Sequence, residues 1–435
     1  MTRRIAQAAA GRLVQFVNST AGRVLACTAV AWLFSFAVCK QLLWRDPHSA
    51  FFSSDGVYDL GYSTIRQEEA HRYMDVVVKN GTERETTKAK DPLVCAVYTT
   101  FQRDGRQYLQ EAIGSMLVGL TQEEREAVDL RLLFAHVESQ KHDDWNATWL
   151  GTLDAWTGYQ GTEDELRLVR EWEEGRNFYA KGVYDYLYTL DMCLKDSAAP
   201  FIAVFEDDII FAEGWLYKTL RALSQLGPQQ SSSWLYLRLF YTETSLGWDE
   251  TTDFVYRNMH LTFAAAMALT ASILLLARKY SHHARGLLDP ATIAACTLVT
   301  VPAFTALFFM VGKYNVMPLR GPTLMNKHGC CTQALVFPRY QVESLVHFLR
   351  DRGSGQTDAL IEEYADRARL QRYALAPQVV QHVGLVSSRD NLVINTRSTW
   401  AFWFEAQNAE RLRNEHRDMD WGGVVGSLRG RVMIS

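Results

Sequence analysis

Two kinds of hydrophobic pattern divide this chain. Residues 24–44 (VLACTAVAWLFSFAVCKQLLW) are largely apolar, with Lys40 as their one charged side chain. That is the length a helix needs to cross about 30 Å of hydrocarbon, and Lys40 lies near the end, where its stem can snorkel. Residues 259–277 and 291–311 are two further runs with no charged side chain. Elsewhere the apolar runs are short. Residues 93–100 (LVCAVYTT), 128–137 (VDLRLLFAHV), 201–205 (FIAVF), 234–240 (WLYLRLF) and 330–337 (CCTQALVF) read as buried strands. Helical spacing appears between them: Tyr108, Ile113, Met116 and Leu117, then residues 182–194, 340–351 and 358–370. Strands alternating with helices predict an α/β domain with a largely parallel sheet. Residues 45–90 are polar and read as an irregular stem, and residues 259–311 read as an insertion in one domain.

Charge orients the apolar runs. Arg3, Arg4, Arg12 and Arg23 precede the first with no acidic residue, and Arg278, Lys279 and Arg285 against Asp289 separate the other two. Basic flanks stay in the cytosol, so both segments fall on one side of a three-span chain. The expected divisions are a cytosolic tail 1–23, a span 24–44, a lumenal stem 45–90 and the first catalytic part 91–258. A span 259–277, a cytosolic loop 278–290, a span 291–311 and the second catalytic part 312–435 follow. The hairpin would press the catalytic domain against the lipid bilayer. A cleaved signal peptide fits less well, because the apolar core is long and no small-x-small site follows. A hairpin buried in a soluble core is the alternative reading of 259–311.

The overall balance, 48% hydrophobic and 22% charged with net charge −4, excludes the basic footprint of a nucleic-acid binder. Asn80-Gly81-Thr82 and Asn146-Ala147-Thr148 are glycosylation sequons in the expected lumenal parts. Of seven cysteines, Cys95, Cys193, Cys330 and Cys331 would face an oxidising compartment. Sequence leaves their pairing open, and none shows zinc-ligand spacing.

The strand at 201–205 runs into Glu206-Asp207-Asp208. Three adjacent carboxylates repel one another, and a hard divalent cation, Mn²⁺ or Mg²⁺, relieves that cost. Shared with a diphosphate, such an ion neutralises the charge on a leaving nucleotide. Alternation along an extended strand predicts Glu206 and Asp208 on one face with Asp207 turned away. The bland reading is a solvated acidic turn.

FEDDII resembles the strand-end acidic motif of nucleotide-sugar transferases with the glycosyltransferase-A fold. TTFQRDGRQYL at 99–109, KGVYDYL at 181–187 and QHVGLVSS at 381–388 resemble, in order, segments of the branching N-acetylglucosaminyltransferase IV family, although Gly182 replaces that family's Gln. A catalytic domain split by a membrane hairpin is similar instead to the Golgi transferases that add N-acetylgalactosamine to glycosylphosphatidylinositol (GPI) anchors. The resemblance implies a glycosyltransferase-A-like mixed sheet with flanking helices, interrupted by the hairpin and preceded by an N-terminal span. It implies a multi-pass Golgi membrane enzyme with a lumenal catalytic domain. Such an enzyme moves an N-acetylhexosamine from a UDP-sugar to a membrane-held GPI glycan, with inversion. Thr99, Arg103, Lys181, Glu206 and Asp207 would contact the nucleotide sugar, and Asp208 and His382 the metal. Asp358, opening a helix after GSGQT, would be the base that takes the acceptor proton, although an acid there also suits a helix dipole. Glu362 and Glu363 are in reserve. Trp215 would line the acceptor side or be a core aromatic. An N-glycan branching enzyme and a non-catalytic membrane scaffold are the competing functions. No P-loop, dinucleotide, zinc-protease or GxSxG pattern is present.

Overall fold

The computed structural model describes residues 18–80, 88–103, 105–226, 233–246, 254–325, 331–384 and 399–432. Arg3, Arg4, Arg12, Gly81 and Thr82 of the first sequon, Cys330, Ser387 and Ser388 lie outside the described residues. The chain forms two compact units, residues 58–245 with 319–435 and residues 1–57 with 246–318.

The larger unit is built on an eight-stranded sheet in the order β3-β2-β1-β4-β8-β6-β9-β7. Its strands are β1 (Val94–Thr100), β2 (Val128–Phe134), β3 (Ala155–Thr157), β4 (Phe201–Glu206), β6 (Trp234–Arg238), β7 (Gly321–Leu324), β8 (Ala334–Pro338) and β9 (Gln371–Ala376). β3, β2, β1 and β4 run parallel, as do β6 and β9, while β8 and β7 are antiparallel to their neighbours. A two-stranded ladder, β5 (Ile209–Phe211) with β10 (Val380–His382), lies beyond the end of β4. Side chains alternate along β1, and its two faces meet different helices. Cys95 is disulfide-bonded to Cys193 of the helix Phe178–Asp196. Tyr98, of opposite parity, donates its hydroxyl to the carbonyl of Ala112 in the helix Leu109–Leu117. Helices therefore flank both faces, and Tyr98, Phe205, Phe211 and Trp215 pack together on the second. Mixed and mostly parallel, the sheet has the predicted α/β class.

The stem expectation needs correction. Residues 62–80 form a helix, Tyr62–Asn80, within the larger unit. Its polar residues suggested solvent, yet several are buried couplings. Arg66, 1% exposed, donates to the carbonyls of Phe211 and Ser115 and pairs with Glu213 at 2.9 Å. Glu405 accepts from the backbone N–H of Gly61 and Ser63 at the helix start.

The smaller unit holds three helices long and apolar enough to cross a membrane, Thr20–Leu42, Met259–Tyr280 and Pro290–Val311. At most 11% of the residues in any of these apolar stretches are buried, which removes the reading of a hairpin enclosed in a soluble core. The first and third make polar contacts within this unit: Thr28 and Thr300 hydroxyls are 2.8 Å apart, and the Trp32 indole N–H donates to the Ala303 carbonyl. Those contacts fall at and beyond a π-turn, Cys296–Thr300, which Pro302 follows. The loop 281–289 is itself capped, with the Ser281 and Asp289 side chains accepting from Ala284 and Thr292 N–H groups.

Candidate active site

The acidic triplet sits where ligands of such sheets are bound, outside the carboxyl ends of parallel strands. β4 ends at Glu206, and Asp207 and Asp208 form a bend before β5. The alternation expected for the triplet therefore stops one residue early, and Asp207 is not turned away. Arg103, in the loop leaving β1, forks across both carboxylates: one nitrogen pairs with Asp207 and another with Asp208 at 3.2 Å. Asp207 also accepts from the Thr100 hydroxyl at 2.6 Å. The β5–β10 register places His382 opposite Ile209, beside Asp208. His382 Nε2 lies 3.5 Å from Asp208 Oδ2, while its Nδ1 is 3.2 Å from the Thr399 carbonyl. In the tautomer that donates from Nδ1 to that carbonyl, Nε2 faces Asp208 with its lone pair, the arrangement a metal-binding histidine would need.

These groups are almost fully enclosed. Burial pushes Asp207 up to about 7 even with Arg103 against it. At Asp208 burial acts the same way but is outweighed by His382 and Arg103, which hold its carboxyl well below the usual range. His382 is depressed by burial and raised by Asp208, and the net shift is upward. Two polar atoms of the cluster, Asp208 Oδ1 and Arg103 Nε, are buried without a hydrogen-bond partner among the described residues. No group of three His, Cys, Asp or Glu side chains among them could hold a metal alone. Asp208 and His382 nevertheless fit an ion of the Mn²⁺ or Mg²⁺ kind, which takes one or two protein ligands and completes its shell with phosphates and water.

A second line of contacts runs from the triplet to Asp358. Thr332 donates its hydroxyl to Glu206 at 2.7 Å, and the next residue back, Cys331, donates its N–H to Asp358 Oδ2 at 3.0 Å. The Cys331 carbonyl accepts from Arg238. Asp358 stands in the first turn of the helix Thr357–Arg367, half-buried. Its carboxylate takes one hydrogen bond per oxygen from backbone N–H groups, those of Cys331 and Ala359.

The sequence pattern of the GPI-N-acetylgalactosamine transferase PGAP4 family matches residues 93–381, well over half of the chain and all of the strands just described except β10's last residue. The chain belongs to that family. The solved mannosyltransferase Ktr4p of S. cerevisiae is similar at 12% identity over 88% of this chain and 98% of that one, with a TM-score of 0.28, too loose a likeness to bear on the site. This GPI-N-acetylgalactosamine transferase family member is thus a glycosyltransferase, and its acidic triplet, Arg103 and His382 are gathered at the carboxyl end of β4, in the middle of its sheet.

The other candidate residues divide. Thr99 pairs with Glu206 across β1 and β4 and is half-buried on the face opposite Thr100. Lys181 is engaged within the fold: it donates to Asp185, to the Tyr159 hydroxyl and to the Ala135 carbonyl at the end of β2. Trp215 is core, 2% exposed, its indole N–H held by the Met116 carbonyl. Glu362 is buried, accepts from the Tyr236 hydroxyl at 2.5 Å and pairs with Arg372 at 2.6 Å. Glu363 pairs with Arg352 and Arg367. Asp358 is hydrogen-bonded to the segment 331–332, which also holds Glu206.

Sequence reasoning missed several supporting residues. Thr100 orients Asp207, and His142 Nε2 lies 3.4 Å from the Thr100 hydroxyl. Strand parity was the available signal for Thr100, since it shares a face with Tyr98. Gln381 receives the His382 and Ala401 N–H groups at Oε1 and donates at Nε2 to Glu405. Nothing local marks Glu405.

Proposed function

We propose that this chain transfers N-acetylgalactosamine from a UDP-sugar to the glycan of a membrane-held GPI anchor, with inversion, in the Golgi lumen. Asp208 and His382 hold a divalent cation, Mn²⁺ or Mg²⁺, which when bound neutralises the negative charge of the departing diphosphate. Arg103 donates to the diphosphate oxygens, for which a planar guanidinium is well suited. Glu206, Asp207 and Thr99 line the nucleotide side. Asp358 accepts the proton of the acceptor hydroxyl as that oxygen bonds to the anomeric carbon; the bond to the phosphate oxygen breaks and UDP leaves with the electron pair. Two observations favour Asp358 over its neighbours: its oxygens are held by backbone N–H groups that leave lone pairs available, and Glu362 is spent in a buried ion pair.

The observation that carries this reading is the pair of unsatisfied buried atoms in one cluster, an acceptor on Asp208 and a donor on Arg103. Leaving such groups unpaired costs about 1–3 kcal/mol each. A cation together with a phosphate satisfies both. The family supplies the sugar and the acceptor class, and the three apolar helices suit an acceptor that lies in a membrane.

The test is transfer from UDP-N-acetylgalactosamine, with other UDP-sugars in parallel, to GPI-anchored and lipid-free acceptors in detergent, with and without chelator. Transfer should need the cation and the GPI acceptor, and Asp208→Asn should lower it by more than about 100-fold, since losing even an outer partner of a metal ligand costs 10–100-fold. Chelator-resistant transfer, or near-normal activity of Asp208→Asn, removes the cation from the reading.

A further inference from the structure

Asp208, the carboxylate that would bind the cation, and its neighbour Asp207 already share a cationic partner, and it is a side chain. Arg103 is nine-tenths buried, and it forks Asp207 and Asp208 together. Its guanidinium lies 4.9 Å from the Phe101 ring and 5.1 Å from the Tyr108 ring. The backbone beneath is fixed separately, with the Arg103 carbonyl accepting from the Gln107 side chain at 2.8 Å. The rings and the two carboxylates are thus the contacts of the head, separate from that of the backbone. Even so, the fork leaves the cluster incomplete, because Arg103 Nε and Asp208 Oδ1 stay unpaired.

We propose that Arg103 is an internal counter-ion that couples cation binding to nucleotide binding: it occupies Asp207 and Asp208 in the nucleotide-free protein, and a diphosphate draws it away. The inference rests on the metal–nucleotide reading of this cluster. A divalent cation approaching Asp208 alone meets a guanidinium 3.2 Å from the same carboxylate, and like charges at that range in a buried site repel strongly. A diphosphate reverses the balance, offering the guanidinium oxygens of its own and the cation further ligands. The cation alone should bind weakly, and cation and UDP should each tighten the other by one shared factor, as linkage requires.

The test measures Mn²⁺ binding to the full-length, detergent-solubilised chain by the electron spin resonance of free Mn²⁺, and UDP binding by calorimetry. Asp208→Asn serves as the blank for Mn²⁺ held by UDP in solution. In the unmodified protein UDP should tighten Mn²⁺ by about tenfold or more, within the range usual for coupled sites. Arg103→Met should bind Mn²⁺ alone about tenfold more tightly than the unmodified protein, with a smaller enhancement by UDP. Arg103→Lys keeps a charge that supports folding but cannot fork both carboxylates, and it should also bind Mn²⁺ alone more tightly than the unmodified protein. Mn²⁺-alone affinity unchanged or weaker in either folded variant overturns the counter-ion role. Absence of Mn²⁺ binding in the unmodified protein, even with saturating UDP, overturns the metal–nucleotide reading itself, a distinct result.

Discussion

A Cβ added at Gly384 would fall on the carboxylate of Asp208, so the close passage of the chain end of β10 depends on a residue without a side chain. The Val383 N–H donates to the Asp208 carbonyl at 2.8 Å, which locks the two segments together. Gly384→Ala should therefore displace the Asp208 carboxylate and cut transfer about tenfold or more; unchanged turnover with a folded protein would contradict it. Asp358→Asn separates two roles of one acid. As the base, its loss should lower turnover by roughly 100-fold or more with UDP binding preserved; as a helix-dipole partner it should cost at most about 1 kcal/mol of stability with turnover intact. At this scale the sequence was readable where chemistry is unusual. Three carboxylates ending an apolar strand stand out, as does QHVG. Orientation was not readable, because the alternation rule holds only while the strand continues and β4 stops at Glu206. Thr332 and Glu405 act from remote positions, through contacts 126 and 342 residues away in sequence, respectively, and no local pattern encodes such pairings.

Two couplings between elements make measurable predictions. The disulfide Cys95–Cys193 ties β1 to the helix Phe178–Asp196 across 98 residues. Closing a loop of that size restricts the unfolded chain by about 4–5 kcal/mol in the chain-entropy picture. Cys193→Ser should thus lower the melting temperature of the solubilised chain by several degrees, and an unshifted melt would show that the fold does not lean on the bond. The other coupling is electrostatic. His416, on the helix Ala409–Arg417, lies 2.5 Å from Glu213 and 2.9 Å from Glu124. Hydrogen bonds to Glu124 and Glu213 raise it to about 9, against the opposing effect of burial. A histidine raised in the fold stabilises fully below its unfolded value near 6.5 and loses that contribution as pH climbs through about 9. His416→Gln should lose stability below pH 6.5 and show a flatter melting profile between pH 6.5 and 9; parallel profiles for both proteins would refute the assignment. β1, β2, β4, β6 and β8 were legible from apolar runs, within a few residues, whereas the short β3 and β7 carry no such run. The helix Tyr62–Asn80 was not legible, because its buried face is partly made of Arg66 and Gln67, whose polar look disguises burial. β9 was not read as a strand, and the helix before it was carried to residue 370, past its end at Arg367, since RARLQRYALA carries no turn signal where Arg369 takes a φ of +55°.

The chain as a whole joins a sheet enzyme to three apolar helices by its connectivity. The segment 246–318 of the smaller unit enters between β6 and β7 of one sheet, and residues 1–57 precede the other. The family match extends on both sides of this insertion, from 93 to 381, as one domain interrupted in sequence would. Topology is open to a direct test through Asn146. This residue is exposed in a turn, and Thr148, two residues on, is exposed at the start of a short 3₁₀ segment, so an oligosaccharyltransferase can reach the sequon. If basic flanks hold the N-terminus and the loop 278–290 in the cytosol, the three-span arrangement puts Asn146 in the lumen. In cells the chain should then run faster on a gel after treatment with peptide N-glycosidase, and Asn146→Gln should remove that shift or its Asn146 share. A sequon built into the loop between Arg278 and Asp289 should stay unmodified, and protease added to sealed vesicles should cut that loop while sparing a C-terminal tag. Modification of the loop, or a protected loop with an exposed C-terminus, defeats the three-span arrangement. An unmodified Asn146 beside a modified Asn80 leaves the arrangement standing and defeats only the accessibility of that turn.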